Sequence, residues 1–442
     1  MNQESAPRAL ALLPLLLFLL LFAGAGVYYS LSGVDFAFYQ LKAPVVALLA
    51  IGVALLIGRD TINHQVETLV AGMGDPTIVL MALIYLLAGA FATLTGALGG
   101  VDAAVQLGLA LLPEQLVLPG LFVIAALLAT AMGTSMGTIG AVAPIAVGMA
   151  SATQLSLPLV LGAVIGGAMF GDNLSIISDT TIAATRSQGV SMRDKFRVNL
   201  RIALPAALVT VVVLALLGSD AQGQPGSLAN AYLALPYLVV LVAALAGVNV
   251  VVVLLGGMLL SALMAITLVD LGPAAIAGEI YKGFSSMQEI LLLSLLIGGL
   301  SALMRRQGGL AWIMAKILWL ASHSRLGAIR TGELAISLLV ALANLFVANN
   351  TVAIVLTGPV ARRLAESEGV EARRSASMLD IFACVVQGVI PHGAQILLAA
   401  SLGGISPLLL VGEVHYCWLL GVAALWAIAR NPAHHRQARL NS

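Results

Sequence analysis

The stretch GDNLSIISDTT (Gly171–Thr181) carries two aspartates, an asparagine and four hydroxyl side chains, the make-up of a surface loop. Yet it follows directly on the apolar LPLVLGAVIGGAMF (Leu157–Phe170) and leads into IAA (Ile182–Ala184). An ionisable residue at the centre of a membrane helix costs at least ~2.5–3.5 kcal/mol on insertion scales. Two bare carboxylates would roughly double that, so a cation, a proton or helix N-termini must offset it. Asp172 and Asp179 are seven residues apart, and on a continuous helix they would share a face. If NLSIIS unwinds instead, its carbonyls become free to hold an ion. Asn173, Ser175, Ser178, Thr180 and Thr181 add neutral oxygens, which suit Na⁺ or a proton rather than a transition metal. The plainer alternative is a helix cap, or a contact with Arg186 at the membrane edge. It applies more to Asp179, nearer the loop, than to Asp172.

Composition makes a membrane the setting. Of 442 residues, 60% are hydrophobic and 9% charged, with a mean hydropathy of +1.04. A soluble protein carries about 25% charged residues. So much apolar surface has to face lipid, where every backbone polar group needs an internal partner. The apolar runs are roughly 16–25 residues long, which is helix length rather than strand length. The expected fold class is therefore an all-α polytopic membrane protein. A net charge of +1 gives no footing for nucleic acid. Cys384 and Cys417 lie in apolar segments and read as core residues. Residues 1–30 resemble a signal peptide in composition, but are read as the first span.

Spans are predicted near Ala9–Tyr28, Ala43–Gly58, Thr77–Gly96, Leu157–Ala184 and Ile202–Leu217. A second series lies near Ala231–Gly247, Val250–Val269, Ile290–Met304, Met378–Ser401 and Val414–Ala429. Leu118–Ala150 and Glu333–Leu364 are too long for one span and polar in the middle. Each is predicted to be a re-entrant hairpin, two half-length helices meeting at a polar tip. Lys and Arg mark cytoplasmic loops. Arg186, Arg193, Lys195, Arg197 and Arg201 crowd one such loop; Arg305, Arg306, Lys316, Arg325 and Arg330 precede the second hairpin, and Arg362, Arg363, Arg373 and Arg374 follow it. Ala97–Pro119, Ser219–Asn230 and Leu402–Glu413 contain none and are expected outside.

These assignments expose a repeat. Gly99-Gly100 answers Gly308-Gly309, Pro144 answers Pro359 at an offset of 215 residues, and Asp172 answers Gln387 at the same offset. Residues 1–218 and 231–430 would each hold five spans and a hairpin in the same order. The first half has its hairpin at 118–150 and a broken helix at 157–184; the second has a hairpin at 333–364 and a broken helix at 378–401. An external linker, 219–230, joins the halves, and 431–442 forms a cytoplasmic tail. Five is odd, so the second half enters the membrane upside down. That is the inverted-repeat plan of secondary transporters, with the substrate near the midplane.

The hairpin tips are GTSMGT (Gly133–Thr138) and VANNTVA (Val347–Ala353). They put Thr134, Ser135, Thr138, Asn349, Asn350 and Thr351 where a helix break offers N–H groups and carbonyls to a ligand. Small residues there also serve close helix packing. In FACVVQGVIPHGAQILLAA (Phe382–Ala400), Pro391 and Gly393 break a helix beside Gln387, His392 and Gln395. His392 could respond to pH near neutrality, although a buried histidine is more often a neutral hydrogen-bonding residue. Asp75, Glu289 and Glu333 fall near span ends and read as solvated or capping, and Arg305 and Arg306 as snorkelling side chains. Asp102–Pro119 and Trp312–Arg325 read as interfacial segments.

GAMFGDNLSIISDTT (Gly167–Thr181) resembles the signature of the NhaC family of Na⁺/H⁺ antiporters, within the broader ion transporter superfamily. TIAATRSQGVSMRDKFRVN (Thr181–Asn199) looks like the continuation in one branch, and GTSMGTIGAVAPIAVGMA (Gly133–Ala150) is similar to that family's first hairpin. The resemblance implies ten or more helices in two inverted repeats, a homodimer, exchange of a cation against protons, and elevator-like movement of the hairpin domain. Carried over residue by residue, it implies a cation and proton site at Asp172, Ser175, Ser178, Asp179 and Thr180. One departure stands out: many relatives have lysine after the first Gly-Asp, where this chain has Asn173. A lysine there would serve as a built-in countercharge or a proton carrier. Its absence leaves stoichiometry open, and some relatives in this branch are thought to carry amino acids or organic acids.

The expectation is a Na⁺/H⁺ antiporter of the bacterial inner membrane with both termini cytoplasmic. Asp172 would be shared by Na⁺ and a proton, Asp179 would be a second ligand, and no cofactor is needed beyond the transported ions. The alternative is a Na⁺- or H⁺-coupled carrier of an amino acid or small organic acid. A passive channel would need a continuous polar pore. An enzyme would need a nucleotide loop, metal cluster or nucleophile motif outside the membrane, and none is read.

Overall fold

The computed structural model describes residues 6–32, 40–111, 113–219, 226–324 and 326–430. The proposed tail, half of the 219–230 linker and Arg325 lie outside the described residues. The first half of the chain runs through α1 (Leu13–Leu31), α2 (Ala43–Ile57), α3 (Ile62–Met73), α4 (Pro76–Leu98), α5 (Gly100–Leu111), α6 (Val117–Met132), α7 (Ser135–Thr153), α8 (Leu157–Leu174), α9 (Asp179–Gln188) and α10 (Met192–Leu217). The second half runs through α11 (Leu235–Leu245), α12 (Val250–Leu268), α13 (Pro273–Ser286), α14 (Gln288–Arg306), α15 (Gly309–Ser322), α16 (Ala328–Val347), α17 (Asn350–Glu368), α18 (Ala372–Gln387), α19 (Ala394–Gly403), α20 (Pro407–Val411) and α21 (His415–Ala429). Among the described residues, eight helices are long and apolar enough to cross a membrane. Leucines and valines of α10 and α12 lie exposed, as lipid-facing side chains do. The chain is an all-helical, multi-pass membrane protein.

Helix ends follow local chemistry. The Asp75 side chain accepts from the Thr77 N–H and Pro76 opens α4, while the Ser178, Ser191 and Asn349 side chains cap α9, α10 and α17. Several terminators recur at fixed offsets between the halves. Gly99 and Gly308 are both left-handed, as are Gly133 and Ala348, Gln154 and Gly369, and Gly189 and Gly404. The last three pairs share the 215-residue offset of Pro144 and Pro359. Both predicted broken helices are interrupted, between Leu174 and Asp179 and between Gln387 and Ala394.

Three expectations change. The hairpin arms are not half-length. They comprise α6 with α7 and α16 with α17, and α16 has 20 residues, about 30 Å at 1.5 Å per residue. α3 and α13 are additional helices of 12 and 14 residues. Each packs on the fourth helix of the other half, α3 on α14 and α13 on α4. Small residues allow the approach: a methyl on Gly72 would strike Ala302, and one on Gly283 would lie 2.5 Å from the Ala90 backbone. Third, Glu333 is neither solvated nor a cap. It is fully buried and paired with Arg374 at 2.7 Å. Cys384 and Cys417 are buried free thiols, as expected of core residues.

Candidate cation site

α8 runs against α6 with almost no side-chain layer between them. A methyl on Gly171 would lie 2.5 Å from the Ala126 carbonyl oxygen, and one on Gly167 would overlap the Phe122 carbonyl. This close approach brings the end of α8 to the turn between α6 and α7. There Gly133 takes φ +69°, in the left-handed region, and packs on Ile177 of the unwound segment. The segment therefore unwinds rather than continuing as a helix, and the two aspartates part company. Asp172 is buried, whereas Asp179 is exposed in the first turn of α9.

The Asp172 carboxylate is reached from both hairpin tips. Ser135 Oγ donates to its Oδ2 at 3.0 Å, and Asn350 Nδ2 approaches the same oxygen at 3.5 Å. A chain of amides stands behind Ser135. Gln395 Nε2 donates to Ser135 Oγ at 2.9 Å, and Gln387 Nε2 donates to Gln395 Oε1 at 2.8 Å and to the Ala348 carbonyl at 3.1 Å. Both tips and both broken helices thus converge on one carboxylate. Among the described residues no basic side chain pairs with it.

The other expected residues are placed variously. Ser178 Oγ meets the Asp172 carbonyl at 3.0 Å and Thr180 Oγ1 at 3.1 Å, and Ser175 Oγ donates to the Thr130 carbonyl. These hydroxyls brace the unwound segment beside Asp172. Thr138 is spent on the Thr134 carbonyl, and Thr134 is half-buried. The Thr351 N–H donates to Asn350 Oδ1. Asn349 caps α17 with Oδ1, and its buried Nδ2 has no partner among the described residues. His392 stands apart: Nε2 lies 3.0 Å from the Leu345 carbonyl and must carry the proton there, and Phe18 packs edge-on against the ring.

Asn173 belongs to a second centre that the sequence reading missed. Asp380 Oδ2 accepts from Lys195 Nζ at 2.6 Å, Asn199 Nδ2 at 2.8 Å and Asn173 Nδ2 at 2.9 Å. Lys195 also donates to Thr181 Oγ1 at 2.7 Å and to the Asn173 carbonyl at 2.8 Å. Both partners of this ion pair are sealed from solvent. Lys195 is not a loop cation, because α10 begins at Met192 and carries it inside. The available signal was periodicity. Lys195, Asn199, Ile202, Ala203 and Ala206 fall on one buried face, with Arg193, Arg197 and Arg201 away from it.

An open groove of about 1400 Å³ reaches the second tip, lined by Val347, Asn349 and Val352 and by the charged Asp75, Arg305, Arg306 and Arg363.

Residues 7–219 match the Na⁺/H⁺ antiporter family. That match spans just under half of the chain. Most of the chain is similar to the malate-2H⁺/Na⁺-lactate antiporter of Bacillus subtilis (strain 168), 23% identical over 439 residues, covering 91% of this chain and 92% of that protein. The Na⁺/H⁺ antiporter NhaC of the same organism is 32% identical over 158 residues, covering 36% of this chain and 34% of its own length. The arginine/ornithine antiporter ArcD of Halobacterium salinarum is 27% identical over 156 residues, covering 35% and 31%. These matches support an NhaC-type antiporter and point to a transporter rather than an enzyme.

Proposed function

We propose that the chain is a secondary Na⁺/H⁺ antiporter in which Asp172 binds Na⁺ when ionised and a proton otherwise. The observation that carries this reading is the convergence of two hairpin tips on a buried carboxylate that meets only neutral donors. Such a group needs a positive charge to cross a low-dielectric interior, and either ion supplies it. Competition for one carboxylate then couples the two fluxes. Ser135 and Asn350 would hold the carboxylate, and Ser175, Ser178 and Thr180 would shape the carbonyls beside it. The matched breaks and left-handed caps at a common offset support an inverted repeat, with its site at the repeat interface. An inner-membrane location with cytoplasmic termini, a homodimer and elevator-like movement belong to the same reading through the resemblance.

The test is reconstitution in vesicles containing a pH dye. Added Na⁺ should drive proton movement, and Asp172→Asn should abolish it while the protein stays folded. Unchanged Na⁺-driven proton movement in that variant would overturn the reading.

A second reading has its own support. The groove is far larger than an ion needs, arginines line it, and the relative matched over nearly its full length is named for malate and lactate. Under this reading a small organic anion is drawn in by Arg305 and Arg363 and meets Asn349 Nδ2, with Na⁺ or protons coupled at Asp172. Proton movement that requires malate or lactate in the same vesicles would favour it over simple ion exchange.

A further inference from the structure

The Lys195 ammonium is surrounded in a way that suits a metal ion. Its three acceptors are a carboxylate oxygen of Asp380, the backbone carbonyl of Asn173 and the hydroxyl of Thr181, at 2.6–2.8 Å. Carboxylate, carbonyl and hydroxyl oxygens are the ligands that hard cations take. The Asn173 carbonyl is available because α8 ends there: the N–H four residues on, that of Ile177, turns to Ser175 Oγ. Asp380 Oδ1 is buried with no partner among the described residues, so a further oxygen stands beside the cluster. The ligands come from the last turn of α8 and from α9 in the first half and from α18 in the second, and Asn199 ties two of them together.

We propose that this cluster is a second cation site, permanently filled by the side chain of Lys195. Asp172, one residue from Asn173, is then the only carboxylate of the centre left for a mobile ion. The tethered ammonium supplies the countercharge that Asn173 cannot. A single exogenous cation per cycle follows, and with Lys195 shortened the cluster becomes a place for Na⁺. The proposal goes beyond the reading of Asp172, and its test is arranged so that the two fail separately.

Thermal unfolding of the full-length protein is measured in Na⁺ and in choline, at alkaline pH where protons compete least. In an Asp172→Asn background the melting temperature should be the same in both salts. Adding Lys195→Ala should create an upward shift in Na⁺ that choline does not reproduce, because ligand binding stabilises the folded state by mass action. Adding Asp380→Asn as well should remove that shift. No difference between the salts in the Asp172→Asn/Lys195→Ala protein overturns the proposal. A Na⁺ shift that survives in Asp172→Asn alone counts against the Asp172 reading instead, and the increment on adding Lys195→Ala still decides this one. The unsubstituted protein gives a second measure that depends on no variant folding. Its initial rate of Na⁺-driven proton movement should be first order in Na⁺, and second-order dependence overturns the assignment.

Discussion

Asp172 and Asp380 are carboxylates buried in the same helical cluster, and they are held in opposite ways. Asp380 has a lysine at 2.6 Å and two asparagine amides on the same oxygen. Asp172 has a serine hydroxyl at 3.0 Å and a distant amide. The first arrangement neutralises its charge from within and is complete without any ion. The second meets its carboxylate with neutral donors alone, and under the proposed function its charge is balanced by an ion that arrives. The sequence neighbours Asp172 and Asn173 thus serve two centres, one expected to exchange its cation and one built around a fixed one.

The largest effect should come from disturbing the fixed centre. Lys195→Met leaves Asp380 buried and uncompensated, and breaking a buried pair from one side costs about 3–5 kcal/mol. Lys195→Met with Asp380→Leu removes both charges and should recover most of that loss, since apolar replacement of both partners is often neutral. Unfolding midpoints of the two variants check this. A single variant as stable as the parent would mean that the pair is not sealed as described.

A smaller effect is expected at the exchanging centre. Ser135→Ala removes the shortest donor to Asp172 and leaves Gln395 Nε2 without its acceptor. A hydrogen bond to a charged group contributes about 1.5–3 kcal/mol, so apparent Na⁺ affinity should fall about tenfold or more while the maximal rate falls less. The Na⁺ dependence of proton movement in vesicles reads this directly. An unchanged affinity would remove the first hairpin tip from the site.

The sequence made the exchanging centre easier to see than the fixed one, for a physical reason. Asp172 is an isolated charge in a long apolar run, and hydropathy marks such a residue at once. Lys195 hides among Arg193, Arg197 and Arg201, where a count of basic residues assigns all four to the cytoplasm. Only the helical period separates them, because 195 and 199 fall on the buried face. Asp380 escaped in the same way. It stands two residues inside a predicted span, yet Ser377, Asp380, Cys384 and Gln387 repeat at helical spacing as a buried polar stripe of α18. The turns at Gly133 and Ala348 and the breaks after Leu174 and Gln387 were legible from glycine, proline and amide residues, but the full length of the arms beside those turns was not. α3 and α13 were not, since a window of about 19 residues averages away a short amphipathic helix. Glu333 was misjudged because its partner, Arg374, is 41 residues away.

The smallest effect concerns the aspartate that the spacing alone would have paired with Asp172. Asp179 lies seven residues on, but unwinding between Leu174 and Asp179 turns it out to an exposed place at the start of α9. A carboxylate in the first turn of a helix interacts favourably with the unpaired N–H groups, contributing about 0.3–1 kcal/mol when exposed. Asp179→Asn keeps the side-chain shape and gives up only this contribution. Stability should fall slightly, and Na⁺ affinity should change by no more than about fivefold, the upper end of that range. The vesicle assay that separates Asp172→Asn from the parent checks it. If Asp179→Asn abolished proton movement as Asp172→Asn is expected to, the two carboxylates would be acting as one unit, and α9 would have to swing inward during the cycle to bring them together.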